Sequence, residues 1–190
     1  FYEGSANVPM IIVGSKNTES AAVAARQVDS RLVGWQDIMP TLLSLAGLEV
    51  PGSCDGVSML ESEREFLYGE CNEGDDATRM IHDGRYKLVY YPAGNCLQLF
   101  DLEQDPEELT DISESTANQA VRERLEKRLV DSLYGSDLTW VRDGVLRGRP
   151  HRDCPALPNR GLDLQRGIHW PPPPVVPPRD GETNSGTNEL

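Results

Sequence analysis

Lysine is nearly missing. Lys16, Lys87 and Lys127 are the only lysines in 190 residues, so the positive charge is carried mostly by arginine. The formal net charge is −13. A chain this acidic repels phosphates, which argues against nucleic-acid binding through a basic face. Hydrophobic residues make up 38% and aromatics 6%, which is low for a chain packed along its whole length. No apolar run approaches the ~20 residues that a membrane-spanning helix needs. Cysteine is sparse too. Cys54, Cys71, Cys96 and Cys154 form no Cys-x-x-Cys pair, which argues against a zinc ribbon. They read as free or buried thiols. Disulfides in an exported chain stay open, because spacing alone pairs none of the four.

The pattern that is present falls into blocks. Val8–Val13 is an almost continuous apolar run broken by Pro9, and it predicts a buried strand of a parallel sheet. Val28–Val33 reads as a second short extended piece. Asp37 is placed to cap a helix in whose first turn Pro40 is tolerated. Ile38, Leu42 and Leu45 share one face of that helix, and Gly47 ends it. Turn signals follow at Pro51-Gly52 and Asp55-Gly56. Four short strands are then expected over Phe66–Gly69, Arg79–His82, Tyr86–Tyr91 and Leu97–Leu102. Asp83-Gly84 forms a tight hairpin and Ala93-Gly94-Asn95 a second connection. The mixed faces of Tyr86–Tyr91 predict an antiparallel sheet with one face covered.

Thr116 with Gln119 makes a capping-box pattern opening a helix. Val121, Leu125, Leu129 and Leu133 recur at four-residue spacing, a stripe that needs a sheet to lie on. Gly135 closes the helix. From residue 148 the pattern fades into an irregular tail. Pro171–Pro174, Pro177 and Pro178 favour polyproline conformation, and residues 180–190 read as disordered.

Several of these blocks resemble, in order, the type I sulfatases of the alkaline phosphatase superfamily. They are Tyr2-Glu3-Gly4 with Val8-Pro9, the helix Asp37-Ile38-Met39-Pro40-Thr41-Leu42-Leu43-Ser44-Leu45-Ala46-Gly47, and the loop Asp55-Gly56-Val57-Ser58. Arg79-Met80-Ile81 with Gly84-Arg85-Tyr86-Lys87-Leu88 follows, then Leu99-Phe100-Asp101-Leu102 with Asp105-Pro106-Glu107-Glu108. The resemblance covers roughly the first hundred and ten residues and fades beyond Gly148.

The resemblance implies an α/β fold. Residues 1–60 would be the end of an alkaline-phosphatase-like catalytic domain. Residues 61–147 would form a small C-terminal subdomain, a four-stranded antiparallel sheet packed by one helix, and residues 148–190 a Pro-rich tail. It implies a sulfuric ester hydrolase acting on sulfated carbohydrate or another sulfated small molecule, in a periplasmic, extracellular or secretory compartment. Such an enzyme uses calcium and a formylglycine made within Cys/Ser-x-Pro-x-Arg. No such motif occurs here, and Cys154-Pro155-Ala156-Leu157-Pro158 lacks its arginine.

The family's metal ligands and catalytic lysine fall before Tyr2, so no catalytic and no metal residue is assigned to this chain. On its own it is expected to be inert, with residues 1–50 prone to aggregate. Glu70 and Asn72, in the loop Gly69–Glu73, are the candidate substrate contacts, placed to hydrogen-bond sugar hydroxyls. Related sulfatases often read Gly-Glu-His there, and Cys71 departs from that.

Asp75-Asp76 reads as a solvated acidic loop. Asp101, Asp105 and Glu107 read as turn and cap carboxylates, and His82 as structural. Two alternatives stand beside the sulfatase: a phosphonate or phosphodiester hydrolase of the same superfamily, and a non-catalytic binding or assembly module.

Overall fold

The computed structural model describes residues 1–13, 28–60 and 64–150. All of these lie within one unit, Phe1–Arg152. The polyproline segment, Cys154, His151 and His169 fall outside the described residues.

Four strands form one antiparallel meander: β1 (Leu67–Cys71), β2 (Thr78–His82), β3 (Tyr86–Tyr91) and β4 (Cys96–Asp101), in sheet order β1-β2-β3-β4. The expected α/β architecture, with a four-stranded antiparallel sheet packed by one helix, is present. Asp83-Gly84 joins β2 to β3. Gly84 sits at φ +97°, and the Asp83 carboxylate accepts from the amides of Arg85 (3.0 Å) and Tyr86 (2.6 Å). That geometry sets the register, with Ile81 opposite Leu88 and His82 opposite Lys87.

Side chains alternate between the two faces. Ile81, Leu88, Tyr90 and Leu99 point to one side and are buried. Helix α3 (Gln119–Ser132) lies on that side with Leu125, Leu129 and Leu133 inward, so the four-residue stripe meets the sheet it needs. Each fully buried leucine contributes ~1.5–3 kcal/mol by leaving water. The 3-10 segment Gly135–Trp140 adds Trp140 to the same core, and of the last strands, β5 (Val141–Arg142) and β6 (Val145–Leu146), the second adds Leu146. Beyond them, the Arg149 amide donates to the Pro92 carbonyl at 2.7 Å.

The capping box at Thr116 is not formed. Thr116–Asn118 is a 3-10 turn, Asn118 precedes α3, and neither start carries a side-chain cap. Continuity of the turn into the helix replaces the cap.

The other sheet face is covered as well, against the expectation of a single covered face. Met80, Val89 and Phe100 form a second cluster there, closed by Phe1, Leu67, Tyr91 and Leu102. The Tyr2 ring meets Phe100 edge-on at 5.9 Å, and its hydroxyl donates to Gln98 at 2.8 Å. Phe1 also crosses Gly69, where an added Cβ would lie 3.0 Å from its ring.

Lys87 is the polar centre of this face. It is 1% exposed, as is the Glu108 side chain. Its ammonium donates to Glu108 at 2.9 Å, to the Phe1 carbonyl at 3.0 Å, and to Glu3. Glu108, held at φ +55°, accepts the Glu3 amide with its second oxygen. Glu3 thus meets Lys87, 84 positions on, and Glu108, 21 positions beyond Lys87, at one ammonium.

Residues 1–60 differ from the strand reading. The single turn α1 (Glu3–Ala6) leads into Val8–Val13, which forms no strand and is exposed. An extended segment becomes a strand only when a neighbour completes its ladder, and none of the described residues does so. Residues 28–33 are likewise outside any element.

Helix α2 (Ile38–Leu45) forms as expected, and Asp37 holds its N-cap position, but its side chain makes no capping hydrogen bond. The Asp37 carboxylate is buried and turned elsewhere. It accepts the amides of Gly34 (2.8 Å) and Val57 (2.9 Å) and pairs with Arg64. Thr41 accepts the Met59 amide at 2.9 Å. Asp37 and Thr41 therefore lash the 55–59 loop to the helix. Gly56 is required at the crossing, where a Cβ would fall 1.8 Å from the Gln36 carbonyl oxygen.

His82 ends β2 with Nδ1 3.3 Å from the Tyr86 carbonyl oxygen. Burial, then the Lys87 charge, hold its pKa below the ordinary 6.5, against weaker opposing pulls from Glu3, Asp83 and Glu108. The unfolded chain then binds the proton more readily than the folded one. Stability is full above the unfolded value and falls as pH drops through it toward the folded value. Urea midpoints should decline between about pH 7.5 and 5.5. The His82→Gln variant should show a flatter dependence, and an unchanged slope would rule His82 out as the source.

Candidate functional site

The chemistry-bearing residues gather at the open end of β1 and β2. Glu70 is on β1, and Asn72 follows it in the left-handed region at φ +55°. The segment after α3 returns here, bringing Tyr134 and Asp137. Between them lies an open cleft of about 480 Å³, lined by Glu70, Asn72, Glu73, Arg79, Tyr134 and Asp137 among others. The structure thus brings together the two residues named from sequence, Glu70 and Asn72.

Arg79 builds the floor. It is 3% exposed on β2, and Nε donates to Asp137, itself 5% exposed, at 2.6 Å. Nη1 donates to the carbonyls of Asn72 (3.0 Å), Thr78 (2.9 Å) and Cys71 (3.3 Å). The guanidinium also stacks over Trp140, 5.1 Å from the ring centre. Burial works against its charge, but the Asp137 hydrogen bond and carboxylate more than offset it, leaving its pKa raised.

One side chain therefore carries the 71–77 loop and fixes the backbone of Asn72. The Tyr134 hydroxyl bridges both Glu70 oxygens at 2.8 Å, which orients the carboxylate and raises the phenol's pKa. Near them the Tyr68 hydroxyl is buried with no hydrogen bond among the described residues, and burial pushes its pKa well up.

Three carboxylates (Glu70, Glu73 and Asp137) face one guanidinium across the cleft. The nearby Arg149 is paired with Asp75 at 3.1 Å. Oriented carboxylates beside an aromatic ring suit hydroxyl or ammonium donors.

The remaining acidic candidates serve the fold. Asp101 accepts Arg85 at 2.7 Å, and Asp105 accepts the Thr110 amide at 2.8 Å. Among the described residues no group of three or more His, Cys, Asp or Glu is arranged to hold a metal ion. Cys54, Cys71 and Cys96 are free thiols. No helix among the described residues is long and apolar enough to cross a membrane.

Sequence reasoning missed Arg79, Tyr134 and Asp137 as parts of this site. Arg79 lies in the Arg79-Met80-Ile81 block, whose spacing points to no role for it. Tyr134 and Asp137 belonged to no pattern.

Comparison with known proteins adds an independent line. The family model for the C-terminal region of N-sulphoglucosamine sulphohydrolase matches residues 1–134. An arylsulfatase of Clostridium perfringens is 32% identical over 158 residues, covering 78% of this chain and 32% of the relative. Arylsulfatase K of Canis lupus familiaris is 31% identical over 131 residues, covering 59% of this chain and 23% of the relative. The crystal structure of a putative sulfatase from Bacteroides thetaiotaomicron aligns with a TM-score of 0.47 at 25% identity, over 50% of this chain and 23% of that one. The chain spans a third or less of the length of these curated relatives.

Proposed function

Because the chain belongs to the family of the N-sulphoglucosamine sulphohydrolase C-terminal region, we propose that it is the C-terminal part of a sulfatase that hydrolyses sulfate esters of carbohydrate. The family match over residues 1–134 carries this reading. The arylsulfatase relative at 32% identity favours sulfate over phosphonate or phosphodiester as the group cleaved.

In this reading residues 1–60 close the catalytic domain, and the sheet of residues 61–147 stands beside the substrate cleft. Glu70 and Asn72 contact sugar hydroxyls there. Calcium and formylglycine belong to the whole enzyme and would supply the Lewis acid and the nucleophile. The described residues do not fit either group: no acidic cluster is arranged for a cation, and no cysteine stands in Cys-x-Pro-x-Arg. The work of this chain is to bind and orient. An exported compartment follows from the same reading.

The test is turnover by the whole protein carrying this chain, produced together with a formylglycine-generating enzyme. It should release sulfate from glucosamine sulfates, with kcat/KM at least about tenfold above that for a phosphonate monoester. The 190-residue chain alone should release none. Preference for the phosphonate would transfer the assignment to that chemistry. Turnover by the isolated chain would place the nucleophile within it.

A further inference from the structure

We propose that the Glu70–Asn72–Tyr134 cleft is a subsite for an unsulfated sugar ring, and that its carboxylates turn sulfated rings away. This rests on the reading that the whole protein acts on sulfated carbohydrate. It assigns the cleft to a ring other than the one that carries the sulfate.

The walls are fixed before any ligand arrives. Arg79 and Asp137 are both more than nine-tenths buried and hydrogen-bonded to each other. Arg79 also holds the Asn72 carbonyl, so the loop bearing that side chain has one geometry. The cleft, about 480 Å³, stays open to solvent on one side.

The inner surface has the chemistry of sugar recognition. Tyr134 is 58% exposed and lines the cleft, so an aromatic ring is available to the apolar C–H side of a pyranose. Its hydroxyl aims the Glu70 carboxylate, whose remaining lone pairs accept from sugar hydroxyls. The Asn72 side-chain amide lines the cleft with no hydrogen bond among the described residues, and it presents both donor and acceptor.

Charge decides which ring enters. The Arg79 charge is matched by Asp137, and that of Arg149 by Asp75. Glu70 and Glu73 are left in excess, so the field in the cleft is negative. A hydroxyl or a protonated amine is welcome there, and a sulfate is repelled.

The experiment titrates the full chain with N-acetylglucosamine and with N-acetylglucosamine 6-sulfate, reading amide shifts by NMR. Residues 70–72 and 134–137 should shift with the neutral sugar, with affinity at least about tenfold above that for the sulfated one. Raising the salt should narrow that gap, because the discrimination is electrostatic. The Tyr134→Ala variant should lose binding of both sugars. Glu70→Gln should bring the two within about threefold.

Equal or tighter binding of the sulfated sugar overturns the proposal. So does the absence of shifts in the cleft at roughly 50 mM neutral sugar, well past a millimolar Kd. Binding is read here without turnover. Failure of the subsite therefore leaves the sulfatase reading standing, and failure of whole-protein sulfate release removes the premise of the subsite while leaving the measured sugar binding as a separate result.

Discussion

Replacing Lys87 with methionine should lower the unfolding free energy by about 3–5 kcal/mol, the usual loss when one partner of a buried ion pair is removed. Lys87 and Glu108 are both 1% exposed at the side chain. Methionine fills most of the space but leaves the Glu108 carboxylate buried without its cation. It also frees the Phe1 carbonyl and the Glu3 carboxylate, which Lys87 ties to the sheet.

Total stability of a domain this size is about 5–15 kcal/mol, so the variant should approach the unfolding threshold. Guanidinium unfolding followed by tryptophan fluorescence reads the change. A control separates lost charge pairing from lost packing. The double variant Lys87→Met with Glu108→Leu removes both buried charges and should recover much of the loss, since an apolar pair of similar volume often equals an ion pair. A loss under about 1 kcal/mol in the single variant would match a solvated surface pair instead.

Arg79→Ala is the second large effect, again about 3–5 kcal/mol. Asp137 loses its one charged partner among the described residues, and the carbonyls of Cys71, Asn72 and Thr78 lose a shared donor. Arg79→Lys should recover less than half. An ammonium has no planar fork to reach Asp137 and the three carbonyls together, and it stacks less well on Trp140. Hydrogen exchange should accelerate first at residues 71–77 and 134–139, ahead of the β3–β4 ladder. Uniform acceleration across the sheet would mean that Arg79 supports the core in general and not this cleft.

What could be read before folding was local. Asp83-Gly84 announced its hairpin, and Leu125, Leu129 and Leu133 announced the helix face that the sheet buries. The family blocks were legible as strings, but their purpose was not. Glu3, Lys87 and Glu108 carry no spacing signal, because only strand pairing and the returning N-terminal segment bring them together.

Asp37 looked like a helix cap because caps use that residue. A buried loop amide and Arg64 competed for the same carboxylate and won. Val8–Val13 had the composition of a strand, and composition cannot supply a neighbour. At the site, Glu70 and Asn72 were visible because they adjoin a strand end. Arg79 and Asp137 are 58 residues apart, and nothing short of the fold links them.

The meeting of Glu3 with Glu108 spans 105 positions, and that span sets an order of events on the ribosome. Residues 1–3 cannot find their seat until the last of their partners has emerged. At ~5–20 residues per second the delay is roughly 5–20 s. During that interval Phe1 and Tyr2 have no sheet to cover, and Met80, Val89 and Phe100 are wet from the moment they appear. The nascent chain therefore leaves this apolar face open until synthesis passes position 108, and a chaperone that shields aromatic segments should raise the yield of folded protein most when translation is slow.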